Sequence, residues 1–153
     1  MKLFLKIFLF TITFSSLAFA FDISNDKIVL HHNNIVVEIT TQNDMDNPYK
    51  IYDAWGSLDI IEADMITSLE IQVGESKVDV PLSVYMDLAN PYEAKIKQDD
   101  KSSFIIEIKG GEKDTKFDYT AQIKVLSNKI ISRTVRSGKL SEDRWERTKY
   151  SAF

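Results

Sequence analysis

The residues best suited to chemistry in this 153-residue chain are its arginines, and all of them lie in one segment, RTVRSGKLSEDRWERTKY, residues 133–150. A guanidinium group is planar and always charged, and it can bind a carboxylate or phosphate through two parallel hydrogen bonds. It also stacks on aromatic rings, and Arg, Trp and Tyr are enriched at binding hot spots. The segment therefore predicts an anion-binding or partner-binding edge that consists of Arg133, Arg136, Trp145, Arg147 and Tyr150.

Acidic residues are interleaved with these arginines and support a second interpretation. Glu142, Asp143 and Glu146 lie within the same segment and could form local ion pairs that fix the last strand to its sheet. In that case the arginines stabilise the fold and bind no partner. The sequence leaves both interpretations open.

Other site chemistries find little support. The chain has no cysteine, and His31 and His32, adjacent in a predicted strand, point to opposite faces and cannot readily share a metal ion. No G-x-S-x-G elbow occurs, and no carboxylate pair stands out as the acid and base of a glycosidase. We therefore expect no metal site, no cofactor and no enzymatic activity, with a hydrolase that uses an unidentified carboxylate pair as an alternative.

The elements that must position the arginines are predicted to be strands, because apolar and polar residues alternate along most of the chain. Residues 27–32 and 35–41 flank Asn33-Asn34, a turn-forming pair, and residues 66–73 and 76–80 flank a Gly-Glu-Ser turn. Only residues 81–89 have helical spacing, which predicts one short helix. About nine short strands predict an all-β fold, a mainly antiparallel sandwich or barrel-like meander.

The strand that carries Arg133 and Arg136 is predicted to pair with residues 117–125 through a turn at Ser127-Asn128. A regular ladder then places Val125 opposite Ile130 and Tyr119 opposite Arg136, and paired residues share a face. The apolar interior would become polar at one end of the sheet. This register predicts an alternative site, a small-molecule pocket lined by Tyr119, Ser132, Thr134 and Arg136.

The N-terminus predicts export. Residues 1–20 combine Lys2 and Lys6, a short apolar run and the sequence Ala18-Phe19-Ala20, which are the three parts of a secretory signal peptide. We expect cleavage before Phe21, one all-β domain over residues 21–153, no membrane span after cleavage, and a periplasmic or secreted location.

The formal net charge of −4 disfavours nucleic acid as a partner. The leading hypothesis is an exported, non-enzymatic binding or interaction protein whose arginine and aromatic edge contacts an unidentified envelope protein or an anionic ligand. The alternatives are a small-molecule carrier that uses the predicted pocket, and the hydrolase.

Overall fold

The computed structural model describes residues 21–24, 26–43, 54–57, 63–138 and 145–151. The predicted signal peptide and the acidic residues Glu142 and Asp143 lie outside these ranges. Within them the chain forms two five-stranded antiparallel sheets, with strand orders β1-β2-β3-β4-β5 and β10-β9-β8-β7-β6. The predicted all-β, mainly antiparallel class is therefore confirmed.

The first sheet is a meander whose strands follow the alternation of apolar residues. Its strands are β1 (Phe21–Ser24), β2 (Lys27–His32), β3 (Ile35–Asn43), β4 (Asp64–Val73) and β5 (Ser76–Val78). The turn between β2 and β3 contains Asn33, whose φ is 53°, a conformation that asparagine tolerates better than most residues. The two hairpins predicted in this region are both present.

The second sheet continues the meander with five further strands. Its strands are β6 (Pro91–Gln98), β7 (Ser103–Gly110), β8 (Tyr119–Leu126), β9 (Lys129–Ser137) and β10 (Trp145–Lys149). β10 pairs with β9 and stands at the end of this sheet. The segment that was predicted to hold the arginine edge is thus an edge strand and its neighbour.

The predicted helix at 81–89 is reduced to one 3-10 turn, Leu82–Val84. The rest of the segment instead runs alongside the first sheet, where Leu88 bridges to Trp55 and Ala89 bridges to Met65. This segment contributes Val84, Tyr85 and Leu88 to the core. The helical spacing of these apolar residues reflects their burial, and tertiary contacts override the local preference.

The two sheets pack as a sandwich around one apolar core. Every second side chain of β8 is buried, and the core cluster draws on both sheets. Its largest fully buried members are listed here: Tyr119, Ile39, Ile66, Ile71, Leu88, Ile106, Ile108 and Ile123. The face of each sheet that points away from the core carries mostly polar residues. The charge on this face differs between the two sheets.

The register of the β8–β9 hairpin corrects the prediction at one point. Val125 pairs with Ile130 as expected, but the pairing shifts between Lys124 and Val125. Ile131 is the extra residue of this β-bulge, and beyond it Ile123 pairs with Arg133 and Thr120 with Arg136. A shift of one residue exchanges the two faces of a strand. Arg133 therefore points inward and Arg136 outward.

Candidate binding surface

Arg133 is buried among the inward-facing residues of β9, with only 3% of its surface exposed. Its Nη2 donates to both carboxylate oxygens of Asp87 at 2.7 Å. Its Nη1 donates to the carbonyl oxygen of Ser83 and to Oε1 of Glu146, each at 3.2 Å. The guanidinium joins β9 and β10 to the segment that connects the sheets, and it is not accessible to an external partner.

Tyr150 makes a parallel connection just after β10. Its backbone N–H donates to the carbonyl oxygen of Ile131 at 3.1 Å, and its hydroxyl donates to the carbonyl oxygen of Ser83 at 3.2 Å. Its ring packs against the core. Tyr150 and Arg133 thus share one acceptor residue, Ser83, and both hold β10 in place. Their geometry supports the structural interpretation for these two residues.

The other predicted residues form an exposed surface on the opposite side of β10. Exposed and half-buried residues alternate along the strand, and the exposed ones are Trp145, Arg147 and Lys149. Trp145 is 63% exposed and pairs with the exposed Arg136 on β9. We call these four residues, Arg136, Trp145, Arg147 and Lys149, the β10 surface.

The cations of the β10 surface form no ion pair with a carboxylate in the described part of the chain. No ion pair joins Arg136, Arg147 or Lys149 to a described carboxylate. The residues that lie beside them on the outward face of β9 and β8 are Ser132, Thr134, Thr120, Gln122 and Lys124. All of them except Lys124 are neutral, and Lys124 pairs with Asp99 at 2.5 Å. The unpaired cations at this end of the described face are therefore Arg136, Arg147 and Lys149, on a protein with a net charge of −4.

Farther along the same face the cations are neutralised. Lys95 and Lys97 of β6 both contact Glu107 of β7, and Gln122 of β8 donates to Glu107 at 3.0 Å. Burial by itself would raise the pKa of Glu107, but the hydrogen bonds from Lys97, Lys95 and Gln122 outweigh it and lower the pKa from 4.5 to about 2. Glu107 is therefore ionised at neutral pH and is not suited to donate a proton as a general acid.

The outward face of the first sheet provides a contrast. Its described cations are paired across the strands, Lys27 with Glu38 at 2.6 Å and Lys77 with Glu70 at 2.9 Å. Acidic and basic groups there balance one another. Three neighbouring cations without a described ion pair, Arg136, Arg147 and Lys149, lie together at the β10 end of the second sheet, next to the exposed Trp145.

The residues of the alternative pocket do not converge. Tyr119 is buried and donates from its hydroxyl to the carbonyl oxygen of Ala89 at 3.0 Å, and burial raises its pKa above the ordinary value. Ser132, Thr134 and Arg136 lie on the outward face because of the bulge. No common pocket joins them to Tyr119.

Open clefts lie elsewhere in the described molecule, and they include two larger ones. One, of about 530 Å³, lies among the turns at one end of the sandwich and is lined by Asn33, Asn34, Asp100, Ser127 and Asn128 with others. The second, of about 450 Å³, lies beside β10 and is lined by Pro81, Ile130, Lys149 and Tyr150 with others. Neither cleft contains the residues predicted for the carrier.

No family model, curated protein or solved structure matches this chain. Among the described residues, no group of three or more His, Asp or Glu side chains is arranged to hold a metal ion. The same residues include no helix with the length and apolarity needed to cross a bilayer. The site is therefore interpreted from its geometry alone.

Sequence reasoning missed two residues of this region. Lys149 follows Trp145 and Arg147 at the period-two spacing of a strand, so the alternation in W-E-R-T-K contained the signal. Asp87, the main partner of Arg133, lies 46 residues earlier in the chain and gave no signal. A contact across that separation depends on how the sheets pack, which local patterns do not encode.

Proposed function

We propose that this chain is an exported, non-enzymatic binding protein whose contact site is the β10 surface. One observation carries the proposal: Trp145 is 63% exposed, lies opposite Arg136 and is followed on the same face of β10 by Arg147 and Lys149. None of these cations has an ion-pair partner among the described residues. Tryptophan and arginine dominate the energetics of many interfaces. An exposed aromatic residue amid unpaired cations suits a partner that offers both an apolar and an anionic group.

Because Arg133 is buried, we remove it from the contact site that the sequence predicted. Its Nη1 and Nη2 donate hydrogen bonds to Asp87, Ser83 and Glu146, so we assign Arg133 to the residues that hold β10 in place. Arg136, Arg147 and Trp145 remain in the contact site, and Lys149 joins them. The partner class stays as predicted, an envelope protein or an anionic ligand.

Export is part of the proposal because it decides which partners the surface meets. The support is the sequence of residues 1–20, which has the three parts of a secretory signal peptide. Mass spectrometry of the protein isolated from its own cells should find a chain that starts at Phe21. A cytosolic protein that retains Met1 to Ala20 would contradict this part of the proposal.

Site-specific photo-crosslinking tests the contact site. A photo-reactive amino acid in place of Arg147 should give a discrete adduct in living cells. The same amino acid in place of Lys113, which is also exposed but lies in the β7–β8 connection, should not. The Trp145→Ser exchange should abolish the adduct while the melting temperature is retained. Equal labelling from both positions, or no adduct from either, would contradict a binding role for the β10 surface.

A further inference from the structure

The backbone of β10 offers hydrogen-bonding groups on the same residues that form the exposed surface. In antiparallel pairs, hydrogen-bonded and non-hydrogen-bonded residue pairs alternate. Tyr150 N–H bonds to the carbonyl oxygen of Ile131, and the register continues through Thr148 with Arg133 and Glu146 with Val135. The N–H and C=O groups of Trp145, Arg147 and Lys149 therefore point away from β9, toward the free side of β10.

No described strand lies on that free side, because β10 ends the sheet order. Edge strands with unpaired backbone groups accept an additional strand from another chain. A strand that added here would place its side chains about 5 Å from Trp145, Arg147 and Lys149, within contact distance. Backbone bonds would supply affinity, and these three side chains would select the sequence.

We propose that the occupant of the β10 edge is an extended acidic segment of another protein, which adds as a sixth strand to the second sheet. This inference rests on the proposed function and names its partner class. Acidic side chains of the added strand would lie opposite Arg147 and Lys149, and an apolar side chain would contact Trp145. The positive charge of this end of the face complements such a segment.

The same cations disfavour a second copy of this chain. Antiparallel pairing of two β10 strands about their centre places Arg147 opposite Arg147 and Trp145 opposite Lys149, by the register of a five-residue strand. Like charges directly opposite one another are destabilising. An anionic lipid surface could attract the cations, but it does not use the aligned backbone donors and acceptors, and the chain as a whole is acidic, with a net charge of −4.

A short blocked peptide of the sequence Thr-Glu-Thr-Glu-Thr-Leu-Thr is a suitable probe. In antiparallel register its two Glu residues lie opposite Lys149 and Arg147, and its Leu lies opposite Trp145. Titration of the isotopically labelled protein, followed by amide chemical shifts, should perturb residues 145–149 first. The peptide should bind with a measurable dissociation constant that weakens as salt rises.

Backbone methylation separates strand addition from simple charge attraction. Methyl groups on the backbone nitrogens of both Glu and Leu remove the donors that face β10, and should weaken binding about tenfold or more. Methyl groups on the backbone nitrogens of the second, third and fourth Thr form the matched control, since those N–H groups face away from β10. These control methyl groups should weaken peptide binding by less than about threefold. Equal effects of the two methylation patterns would overturn strand addition.

Charge reversal identifies the side chains that select the peptide. The double variant Arg147→Glu/Lys149→Glu should weaken binding about tenfold or more. Lys101→Glu/Lys113→Glu changes the net charge equally at exposed positions on other turns, and should have less than about a twofold effect. Equal losses in both variants would overturn recognition at β10.

Two further outcomes would also overturn the inference. One is binding to phosphatidylglycerol vesicles that requires Arg147 and Lys149 while the peptide fails to bind. The other is dimerisation of the protein that Arg147→Glu abolishes. The photo-crosslinking adduct distinguishes the two proposals: an adduct at position 147 that the peptide does not compete keeps the binding function and refutes the acidic strand.

Discussion

Arg133 and Arg136 lie on the same strand but have opposite environments. Removal of a guanidinium from water costs several kcal/mol unless the charge is paired and hydrogen-bonded. Asp87, Ser83 and Glu146 meet this requirement for Nη1 and Nη2 of Arg133, whereas its buried Nε has no partner among the described residues. Arg136 stays in solvent and needs no such partners.

The buried pair should show strong energetic coupling. Arg133→Met leaves Asp87 without its cation, and Asp87→Asn leaves the buried guanidinium with only the longer contact to Glu146 as an ion pair, so each should lower the free energy of unfolding by about 3–5 kcal/mol. The double variant should lose at least about 1 kcal/mol less than the sum of the single losses. Denaturant unfolding of the four proteins measures this cycle.

Arg136→Met is the matched control, because it makes the same change on the same strand at an exposed position. Its effect on unfolding should stay within about 0.5 kcal/mol. Equal destabilisation by Arg133→Met and Arg136→Met, or additive effects in the cycle, would show that the Asp87 pair does not stabilise the fold.

At the scale of elements, most strands were predictable, but β1 and β6 were not predicted, and neither was the β8–β9 register beyond the Ser127-Asn128 turn. Period-two alternation located β2, β3, β8 and β9, and Ser127 and Asn128 do form the tight turn, with φ values of 48° and 61°. The bulge at Ile131 has no local signature, because the sequence I-I-S-R is typical of a regular strand. The bulge depends on the burial of Val135 and on the contact of Arg133 with Asp87. Both involve segments that are far apart in the sequence.

The cross-strand ladder of Lys95, Lys97, Glu107 and Gln122 should make stability depend on pH. Because the pKa of Glu107 is lowered from 4.5 to about 2, its ionised form stabilises the folded state. That contribution is present above about pH 5 and declines as the pH falls from 4.5 through 2. The size of the shift corresponds to roughly 3 kcal/mol. Wild type and Glu107→Gln should therefore differ most at neutral pH and converge near pH 2.

Glu70→Gln provides the comparison for this ladder. Glu70 pairs with one lysine, Lys77, on the outward face of the first sheet, and a hydrogen bond from Lys77 lowers its pKa. Because that pair is exposed, solvent screens it, and its loss should change the pH dependence much less. Urea unfolding at several pH values measures both variants. A difference between wild type and Glu107→Gln that is constant from pH 6 to 2.5 would contradict the assignment.

At the scale of the whole molecule, the sheets are joined where β7 and β8 meet the connecting segment. The ring of Tyr119 lies against Gly56 and Gly110, and its hydroxyl binds the carbonyl oxygen of Ala89. Asn90 extends this junction: its Nδ2 donates to the carbonyl oxygen of Gly56 at 3.3 Å, and its Oδ1 accepts from the N–H of Asp64 at 2.9 Å. A polar network thus fixes one end of the sandwich while apolar packing closes its middle.

Gly110 should be intolerant of any side chain because this junction is full. A Cβ at position 110 would lie 2.4 Å from the hydroxyl oxygen of Tyr119 and 2.7 Å from the carbonyl oxygen of Ala89. Both distances are far below van der Waals contact, and the carbonyl belongs to a paired backbone that cannot move freely. Gly110→Ala should therefore lower the free energy of unfolding by about 1–3 kcal/mol, as overpacking of a core does.

Tyr119→Phe shows whether the clash is with the hydroxyl. By itself it removes the hydrogen bond to Ala89 and should cost about 1–3 kcal/mol. In Gly110→Ala/Tyr119→Phe the atom nearest the new methyl group is gone, so the double variant should be more stable than the sum of the single effects predicts. The steric clash should be relieved only in part, because the new methyl group would still lie 2.6 Å from the ring atom Cζ at position 119. Strict additivity in thermal and denaturant unfolding would mean that the side chain at position 110 does not clash with the hydroxyl of Tyr119.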